Sequence, residues 1–335
     1  MKRAKPSAPT APAWAFQPDV PITPGPGFLS WPPRPLAALT WLLGRGYVLS
    51  LEALYVGLAL VIWFWLAPDL TDCASLAPGW MLHLLALNLG LTIAYAGGLH
   101  LYFHTLGRQG SHHRYSGRDL ARDDTKFLWR DQVLDNMFLT LASGVVLWTS
   151  LQCLLLWAWA SGLTPLLGWA ANPLWFAALF PLLYLWESAH FYLIHRLLHW
   201  PPLYRFAHAI HHKNIAVGPW SGLAMHPLEH LLYFSSTLIH LVIVSHPIHM
   251  FYLFNHLVLG GITSHIGFAD LQVKGRKVID LASYYHQLHH RYFNCNYGTG
   301  VVPGDLWAGS FHDGTPEATA RIMKAQRKPR AAAPR

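Results

Sequence analysis

The sequence predicts an all-α, polytopic membrane protein with four transmembrane helices, a re-entrant or shallow helical hairpin and a histidine-rich helical cap. Three observations support this fold class. Apolar residues make up 53% of the 335-residue chain and charged residues only 12%, about half of the roughly 25% found in soluble globular proteins. Four apolar stretches are long enough to cross a bilayer as helices. The chain also contains 22 histidines, several of which recur at helical spacing.

Composition divides the chain into three segments. Residues 1–35 are rich in proline and alanine and are predicted to be disordered. They contain no short apolar core with a small-residue cleavage site, so we expect no signal peptide. Residues 36–312 form the predicted membrane domain. Residues 313–335 form a basic tail that is also predicted to be disordered.

The formal net charge of +8 does not indicate nucleic-acid binding. The basic residues border the apolar stretches and fill both termini, as expected for cytoplasmic loops next to anionic lipid headgroups. The three cysteines, Cys73, Cys153 and Cys295, lie far apart and form no CxxC pair. We therefore expect neither a disulfide framework nor a cysteine metal site, and no nucleic-acid partner.

The four apolar stretches each reach about the 20 residues that a helix needs to cross the hydrocarbon core. They are Tyr47–Ala67, Trp80–Phe103, Asn136–Trp159 and Leu174–Ile194.

The loops between these stretches predict their orientation. The loop after the first stretch has no lysine or arginine, the loop after the second has six basic residues between His104 and Asp131, and the loop after the third has no charge. Basic loops stay in the cytoplasm. The N-terminus and the end of the fourth helix are therefore predicted to be cytoplasmic.

A fifth apolar region, Leu231–Gly260, is too short for two full crossings, which would need about 40 residues. A single crossing would leave the last group of histidines on the opposite side of the membrane. We therefore predict a re-entrant or shallow hairpin that bends near Ser245–Pro247. It returns the chain to the cytoplasm, where the basic C-terminal tail is also expected.

Eight histidines form three groups at helical spacing. Positions i, i+3 and i+4 share one face of a helix, so each group presents two or three imidazoles in one direction. The groups are His195 and His199; His208, His211 and His212; and His286, His289 and His290.

Imidazole at this density predicts transition-metal binding. Neutral imidazole suits iron, zinc, copper and nickel and is a poor match for calcium or magnesium. Eight ligands exceed what one ion can hold, since six already fill an octahedron. A lone histidine on an apolar face is usually a packed core residue, but three such groups on one predicted face favour two adjacent metal ions. The predicted cytoplasmic cap therefore carries a dimetal site.

Two segments resemble the fatty acid hydroxylase/sterol desaturase superfamily. Residues Glu187–His212 contain an HxxxH box and an HxxHH box, and residues 286–298 contain a second HxxHH box followed by Asn-Tyr-Gly. Members of that family carry these three boxes with the same triplet shortly after the last. The similarity covers about Leu174 to His312. The motifs are specific in combination and weak singly.

The resemblance implies a membrane di-iron oxygenase that uses O2 to hydroxylate or desaturate a lipid such as a sterol or a fatty acyl chain. Two iron ions are the implied cofactors, and zinc can replace them in isolated protein. Two reduced irons can share O2 and supply electrons to cleave it. No flavin or nicotinamide fingerprint and no fused haem domain is visible, so we expect a separate electron donor, a haem or iron–sulfur carrier with its reductase.

The resemblance also implies further site residues. The family usually adds histidines between its second and third boxes, and His265 is the ninth predicted ligand. His226 and His230 lie in a recurring His-Pro segment and are expected to bind metal, to support it or to cap a helix. Candidates for the shell around the ligands, each equally well explained as an ordinary interface residue, are Glu187, Glu229, Asp280 and Asn294.

Several other histidines are not predicted to bind metal. His112 and His113 form a doublet in a charged loop and are expected to be solvated. Packing, turn or interface roles are expected for His83, His100, His104, His240, His246 and His249.

Functions other than an oxygenase are also compatible with some of these features. A membrane metal transporter or metal-binding protein without oxygenase activity is the main alternative, but transporters place ionisable ligands near the midplane of the bilayer, whereas these boxes lie at predicted cytoplasmic helix ends. A membrane zinc protease is less favoured because HExxH does not occur. A relative with the same fold that processes aldehydes or isomerises its substrate stays open.

Overall fold

The computed structural model describes residues 14–23, 29, 32, 34–281 and 283–327. Most of this part of the chain is helical. The helices are α1 (Pro35–Leu43), α2 (Leu51–Leu66), α3 (Pro78–Thr105), α4 (Gln132–Ala160), α5 (Pro173–Leu198), α6 (residues 201–212), α7 (Pro227–Phe234), α8 (residues 247–264), α9 (Tyr284–Tyr292), α10 (Gly304–Trp307) and α11 (Pro316–Arg327).

One small sheet corrects the all-α prediction. Strands β1 (Asp270–Val273) and β2 (Arg276–Asp280) pair antiparallel, with a register shift between Leu271 and Gln272. The two connecting residues, Lys274 and Gly275, have φ of 52° and 73°, as a tight hairpin turn requires at both central positions. The fold is therefore mostly helical, with a β-hairpin between α8 and α9.

Three helices, α3, α4 and α5, are long and apolar enough to cross a membrane. They correspond to the predicted second, third and fourth spans. The predicted first span coincides with α2, which has 16 residues and is therefore about 24 Å long. That length falls short of the roughly 30 Å of a hydrocarbon core, so the structure gives three candidate spans and one shorter apolar helix.

Local side-chain contacts define where the long helices begin. The Asp131 carboxylate accepts hydrogen bonds from the backbone N–H groups of Val133 and Leu134 at the start of α4. Asn172 does the same for Trp175 at the start of α5. Asp and Asn are among the residues most favoured at this position, because their oxygens satisfy N–H groups that have no partner within the helix.

Polar contacts join the helices inside the apolar core. Asn88 of α3 donates hydrogen bonds to Thr149 Oγ1 at 2.8 Å and to Gln152 Oε1 at 2.7 Å on α4. All three side chains are buried. Hydrogen bonds of this kind fix the register of two helices that would otherwise share only apolar contacts.

Helical structure is interrupted where the sequence predicts a bend in the fifth apolar region. Helix α7 is followed by a 3₁₀ helix, Ser235–Leu241, and the chain then leaves helical structure until α8 begins at Pro247. Gly222 allows α8 to approach the 3₁₀ helix Pro219–Leu223, since a Cβ on Gly222 would lie 2.3 Å from the carbonyl oxygen of Gly261. This close contact holds the end of α8 against that 3₁₀ helix.

Packed structure extends beyond the predicted domain limits of 36–312 in both directions. Trp14 lies with its ring 5.5 Å from that of Tyr284, and the Arg291 guanidinium lies 4.1 Å from the Trp14 ring centroid. At the other end, α11 buries Ala318 and Ile322. These aromatic and apolar contacts order parts of both predicted disordered segments. Residues 1–13, 24–28 and 328–335 lie outside the described residues, and the domain boundaries stay a prediction.

Candidate metal centre

Three helices and one turn bring the predicted ligands together. The first histidine box ends α5, the second lies on α6, the third lies on α9, and His265 follows α8 directly. Two consecutive prolines, Pro201 and Pro202, follow the end of α5. Trp200 is extended, with ψ of 130°, and Pro201 begins α6, a position that suits a residue without an N–H group. The second box thereby turns back onto the first.

The nine predicted ligands fall into two clusters, in each of which one nitrogen per residue lies within 4.8 Å of all the others. The first, here called the five-histidine cluster, comprises His195, His199, His208, His212 and His289. The second, the four-histidine cluster, comprises His211, His265, His286 and His290.

The Nε2 atoms converge within each cluster at ligand-to-ligand distances. In the four-histidine cluster, His265 Nε2 lies 3.2 Å from His211 Nε2 and 3.0 Å from both His286 Nε2 and His290 Nε2. Two nitrogens bound at a right angle about 2.1 Å from one ion would be about 3 Å apart. The spacing therefore fits nitrogens that share an ion.

The five-histidine cluster has the same spacing. His212 Nε2 lies 3.2 Å from His199 Nε2 and 3.0 Å from His289 Nε2, and His195 Nε2 lies 3.1 Å from His208 Nε2. Each cluster thus offers four or five imidazole nitrogens, the donor type that suits iron, zinc or copper.

Backbone carbonyls fix the tautomer of several rings. His195 Nδ1 donates to the Tyr297 carbonyl at 2.6 Å, and His289 Nδ1 donates to the Cys295 carbonyl at 2.7 Å. A neutral ring that carries its proton on Nδ1 has a lone pair on Nε2. Lone pairs that face one another at about 3 Å repel, and a cation between them removes the repulsion. The residues present therefore fit a pair of metal ions.

A buried carboxylate orients a ring of the second box. His208 Nδ1 lies 2.7 Å from Glu229 Oε1, and both side chains are buried. A metal-binding histidine commonly donates its other N–H to such a partner, which holds the ring in place and raises its basicity. Glu229 therefore lies where the sequence predicts a supporting residue.

Burial keeps the site imidazoles neutral. It lowers the pKa of His211, His212, His289 and His290 well below the ordinary value, and neighbouring imidazoles lower it further. Because only the neutral ring can bind a metal ion, these groups do not need to lose a proton at neutral pH before binding.

The Asn-Tyr-Gly triplet supports the site through its backbone. Asn296 has φ of 52° and donates to the carbonyls of Tyr285 and His312. The Asp305 carboxylate accepts from the Gly298 N–H group at 2.8 Å and from the Tyr285 hydroxyl at 2.9 Å. These contacts hold the loop whose Tyr297 carbonyl orients His195.

The other predicted supporting residues lie elsewhere. His226 caps α7 by accepting from the Leu228 N–H group, one of the three roles considered for it. His230 contacts Ser143 Oγ and the Leu223 carbonyl. Asp280 pairs with Lys277 at 2.8 Å on the exposed strand β2, Asn294 is exposed, and a supporting role for these two residues stays a prediction. Glu187 is buried but contacts His256, not a cluster member.

Several of the discounted histidines have protein partners away from the clusters. His83 contacts the Leu66 carbonyl, His104 the Ile266 carbonyl and His249 the Phe176 carbonyl. His113 contacts Asp270 at 2.7 Å and is therefore a paired residue, where a solvated one was expected.

A cavity of about 720 Å³ extends from the clusters into the helical core. Its volume is in the range of pockets that enclose small organic molecules. Lining residues from the clusters are His195, His208, His211, His265 and His286. Further along, the wall includes Glu52, Glu187 and His256.

Sequence reasoning did not find Glu52 or His256 as members of the site region. Glu52 is the only charged residue in its apolar stretch, and such residues are rare and often functional. That rarity was the available indication for Glu52, whereas His256 is one of four histidines between Leu231 and Gly260. The backbone carbonyls of Tyr297 and Cys295 orient the rings, and a role of the backbone cannot be recognised from the type of side chain. Both residues nevertheless lie within ten positions of the third box.

The profile of the fatty acid hydroxylase family matches residues 180–310. This segment contains all nine clustered histidines. A Delta(7)-sterol 5(6)-desaturase from Gibberella zeae is 32% identical over 153 residues, which is 45% of this chain and 45% of that protein. A Delta(7)-sterol 5(6)-desaturase from Saccharomyces cerevisiae is 32% identical over 121 residues, which is 36% of this chain and 32% of that protein.

The chain spans less than half the length of these curated relatives. No solved structure matches it. The family resemblance seen in the three boxes is thus confirmed for the segment that holds the clusters.

Proposed function

Because residues 180–310 belong to the fatty acid hydroxylase family, we propose that the chain is an integral membrane oxidoreductase that hydroxylates or desaturates a lipid with O2. Two iron ions are the proposed cofactors, with zinc able to replace them in isolated protein. When bound, iron supplies the electrons and the oxygen-binding site that cleavage of O2 requires. A separate haem or iron–sulfur carrier with its reductase is the proposed electron donor.

The observation that carries this proposal is the convergence of nine imidazoles into two neighbouring clusters on the wall of one cavity. The proposed ligands of one ion are the members of the five-histidine cluster, and those of the other are the members of the four-histidine cluster. Glu229 and the carbonyls of Tyr297 and Cys295 hold the rings with Nε2 toward the ions.

The cavity supplies what lipid chemistry needs besides metal ions. A long apolar substrate would enter with its reacting carbon near the clusters, and the cavity wall would exclude bulk water from that carbon. The cavity wall would thus keep the bound lipid apart from solvent while its reacting carbon lies near the clusters. The relatives' names refer to sterols, and we extend to this chain only the lipid class.

The proposed topology has four crossings, with α2 as the short first span and the segment from α7 to α8 as a re-entrant hairpin. The N-terminus, the histidine boxes and the C-terminus are proposed to face the cytoplasm. This arrangement is supported by the basic loop between α3 and α4 and by the uncharged loop between α4 and α5. A transporter is less favoured, since its ligands would lie within the spans.

Lipid profiling tests the function directly. A strain that lacks the gene is compared with its parent and with strains that express the wild-type chain or His211→Ala. We expect a lipid to lose a hydroxyl group or a double bond in the deletion strain and to regain it only with the wild-type chain. Identical lipid profiles in parent and deletion strain, grown under conditions in which the chain is made, would contradict an oxygenase.

A further inference from the structure

A buried ion network lies in the cavity wall apart from the two clusters. His256 on α8 places Nδ1 2.9 Å from Glu52 Oε1 on α2 and Nε2 3.0 Å from Glu187 Oε2 on α5. Each ring nitrogen faces a carboxylate oxygen, so both donate a hydrogen bond and the imidazole is positively charged. Two carboxylates and one imidazolium leave one net negative charge in this network, and Arg45 and Lys277 also line the cavity.

The two carboxylates differ in how fully they are bonded. The second oxygen of Glu52, Oε2, accepts from the Tyr252 hydroxyl at 2.8 Å. The second oxygen of Glu187, Oε1, has no hydrogen-bond partner among the residues that the structure describes. Glu187 is 2% exposed and lines the cavity. A buried acceptor normally finds a partner, and here the free space in front of it is the cavity.

Glu187 and the first histidine box share one face of α5. Glu187, Phe191 and His195 are spaced four residues apart, which aligns them along the helix, and all three line the cavity. The eight residues from Glu187 to His195 correspond to about 12 Å along the axis. One extended molecule in the cavity can therefore contact the acceptor oxygen and the five-histidine cluster at the same time.

We propose that Glu187 Oε1 accepts a hydrogen bond from the hydroxyl group of a lipid alcohol bound in the cavity. His256 and Glu52 are the positioning residues that hold the Glu187 carboxylate. This assignment rests on the proposed function and narrows its substrate class.

Charge and desolvation select a hydroxyl over the other polar groups of lipids. An ionised carboxylate placed against Glu187 Oε1 has no proton to donate and would be repelled by it, as would an ionised phosphate. An ammonium group would have to leave water for a largely apolar cavity at a much higher cost than a hydroxyl. A hydroxyl donates one hydrogen bond and is neutral. The preferred substrates are therefore lipid alcohols, with free fatty acids and phospholipids disfavoured.

Direct binding tests this assignment without any turnover. The iron-loaded full chain in lipid nanodiscs is titrated with two matched pairs, cholesterol with its methyl ether and 1-octadecanol with its methyl ether. In at least one pair we expect the alcohol to bind about tenfold more tightly, since a hydrogen bond to a carboxylate is among the strong ones. In Glu187→Gln that preference should fall to about threefold or less. Glu317 is exposed, so Glu317→Gln serves as the matched control and should keep the preference of the wild-type chain for the alcohol.

Three results would overturn the proposal: equal binding of alcohol and ether by the wild-type chain in both pairs, an unchanged preference in Glu187→Gln, or tighter binding of octadecylamine than of octadecanol. The comparison within the wild-type chain holds even if a variant fails to fold. Iron content of each variant reports separately on the clusters. Loss of turnover with an intact preference for alcohols would count against the proposed function and not against this site.

Discussion

His208 Nδ1 donates a hydrogen bond to Glu229 Oε1 at 2.7 Å, between side chains that are 2% and 3% exposed. The bond joins α6 to α7 and directs His208 Nε2 toward His195 Nε2, 3.1 Å away. Glu229 therefore affects a proposed iron ligand without belonging to either cluster.

Replacing Glu229 by glutamine tests this supporting role. Glu229→Gln keeps the shape of the side chain but replaces the carboxyl group that orients His208 with an amide, which cannot take up the His208 proton. Changes to such partners typically lower metal affinity by about 10- to 100-fold, and we expect a value near the lower end. Competition with a chelator measures it, with Glu317→Gln as the exposed control. Equal affinity in both variants would show that Glu229 is only a packing residue.

Single alanine substitutions test the two clusters separately. His211→Ala changes the four-histidine cluster and His289→Ala changes the five-histidine cluster. Each variant should lose at least one of the two ions per chain and all turnover, yet should stay in the membrane fraction, because the apolar helices are unchanged. Metal analysis of the purified proteins measures the loss. The exposed His112→Ala is the control, and a full metal content in both cluster variants would refute the ligand assignment.

We expect the contact between the buried His312 and the C-terminal helix α11 to depend on pH. Burial lowers the pKa of His312 to about 4, and its Nε2 lies 3.0 Å from Thr319 Oγ1. As pH falls, the His312 imidazole of the unfolded chain therefore begins to bind a proton near pH 6.5, whereas the imidazole of the folded chain stays neutral. The free energy of unfolding should fall as pH falls from 6.5 to about 4, by at most about 1.4 kcal/mol per pH unit.

Hydrogen exchange of the α11 amides, corrected for the intrinsic rates, measures this effect at pH 7 and pH 5. His312→Asn removes the titrating group while its Oδ1 can still accept from the Gly314 N–H group, as His312 Nδ1 does. We expect protection to decrease at pH 5 in the wild-type chain and much less in the variant. The same pH dependence in both would assign the effect to another group.

Labelling of introduced cysteines tests the proposed topology. The native cysteines are buried, and Arg205 and Leu76 are exposed at opposite ends of the proposed spans. In oriented vesicles, Arg205→Cys should react only with a reagent on the cytoplasmic side, and Leu76→Cys only with one on the other side. Reaction of both from the same side would contradict the proposed number of crossings.

Local pattern predicted much of the site, because its elements are helical. The spacing of the three boxes gave eight of the nine clustered histidines, and the family resemblance added His265. The same reasoning also named Asp280 and Asn294, which are polar, near the third box and exposed, and their supporting role stays a prediction. Proximity in sequence does not determine the direction of a side chain once the chain leaves a helix.

The sequence by itself determined the apolar helices, the bend before Pro247 and the histidine faces, since these depend on periodicity within a few turns. The tertiary structure alone decided how nine histidines divide into sets of five and four, which carbonyls orient them, and that Glu52, His256 and Glu187 meet in one cavity wall. Glu52 and His256 are 204 residues apart. Contacts at such separations follow from how whole helices pack, and no local spacing encodes that packing.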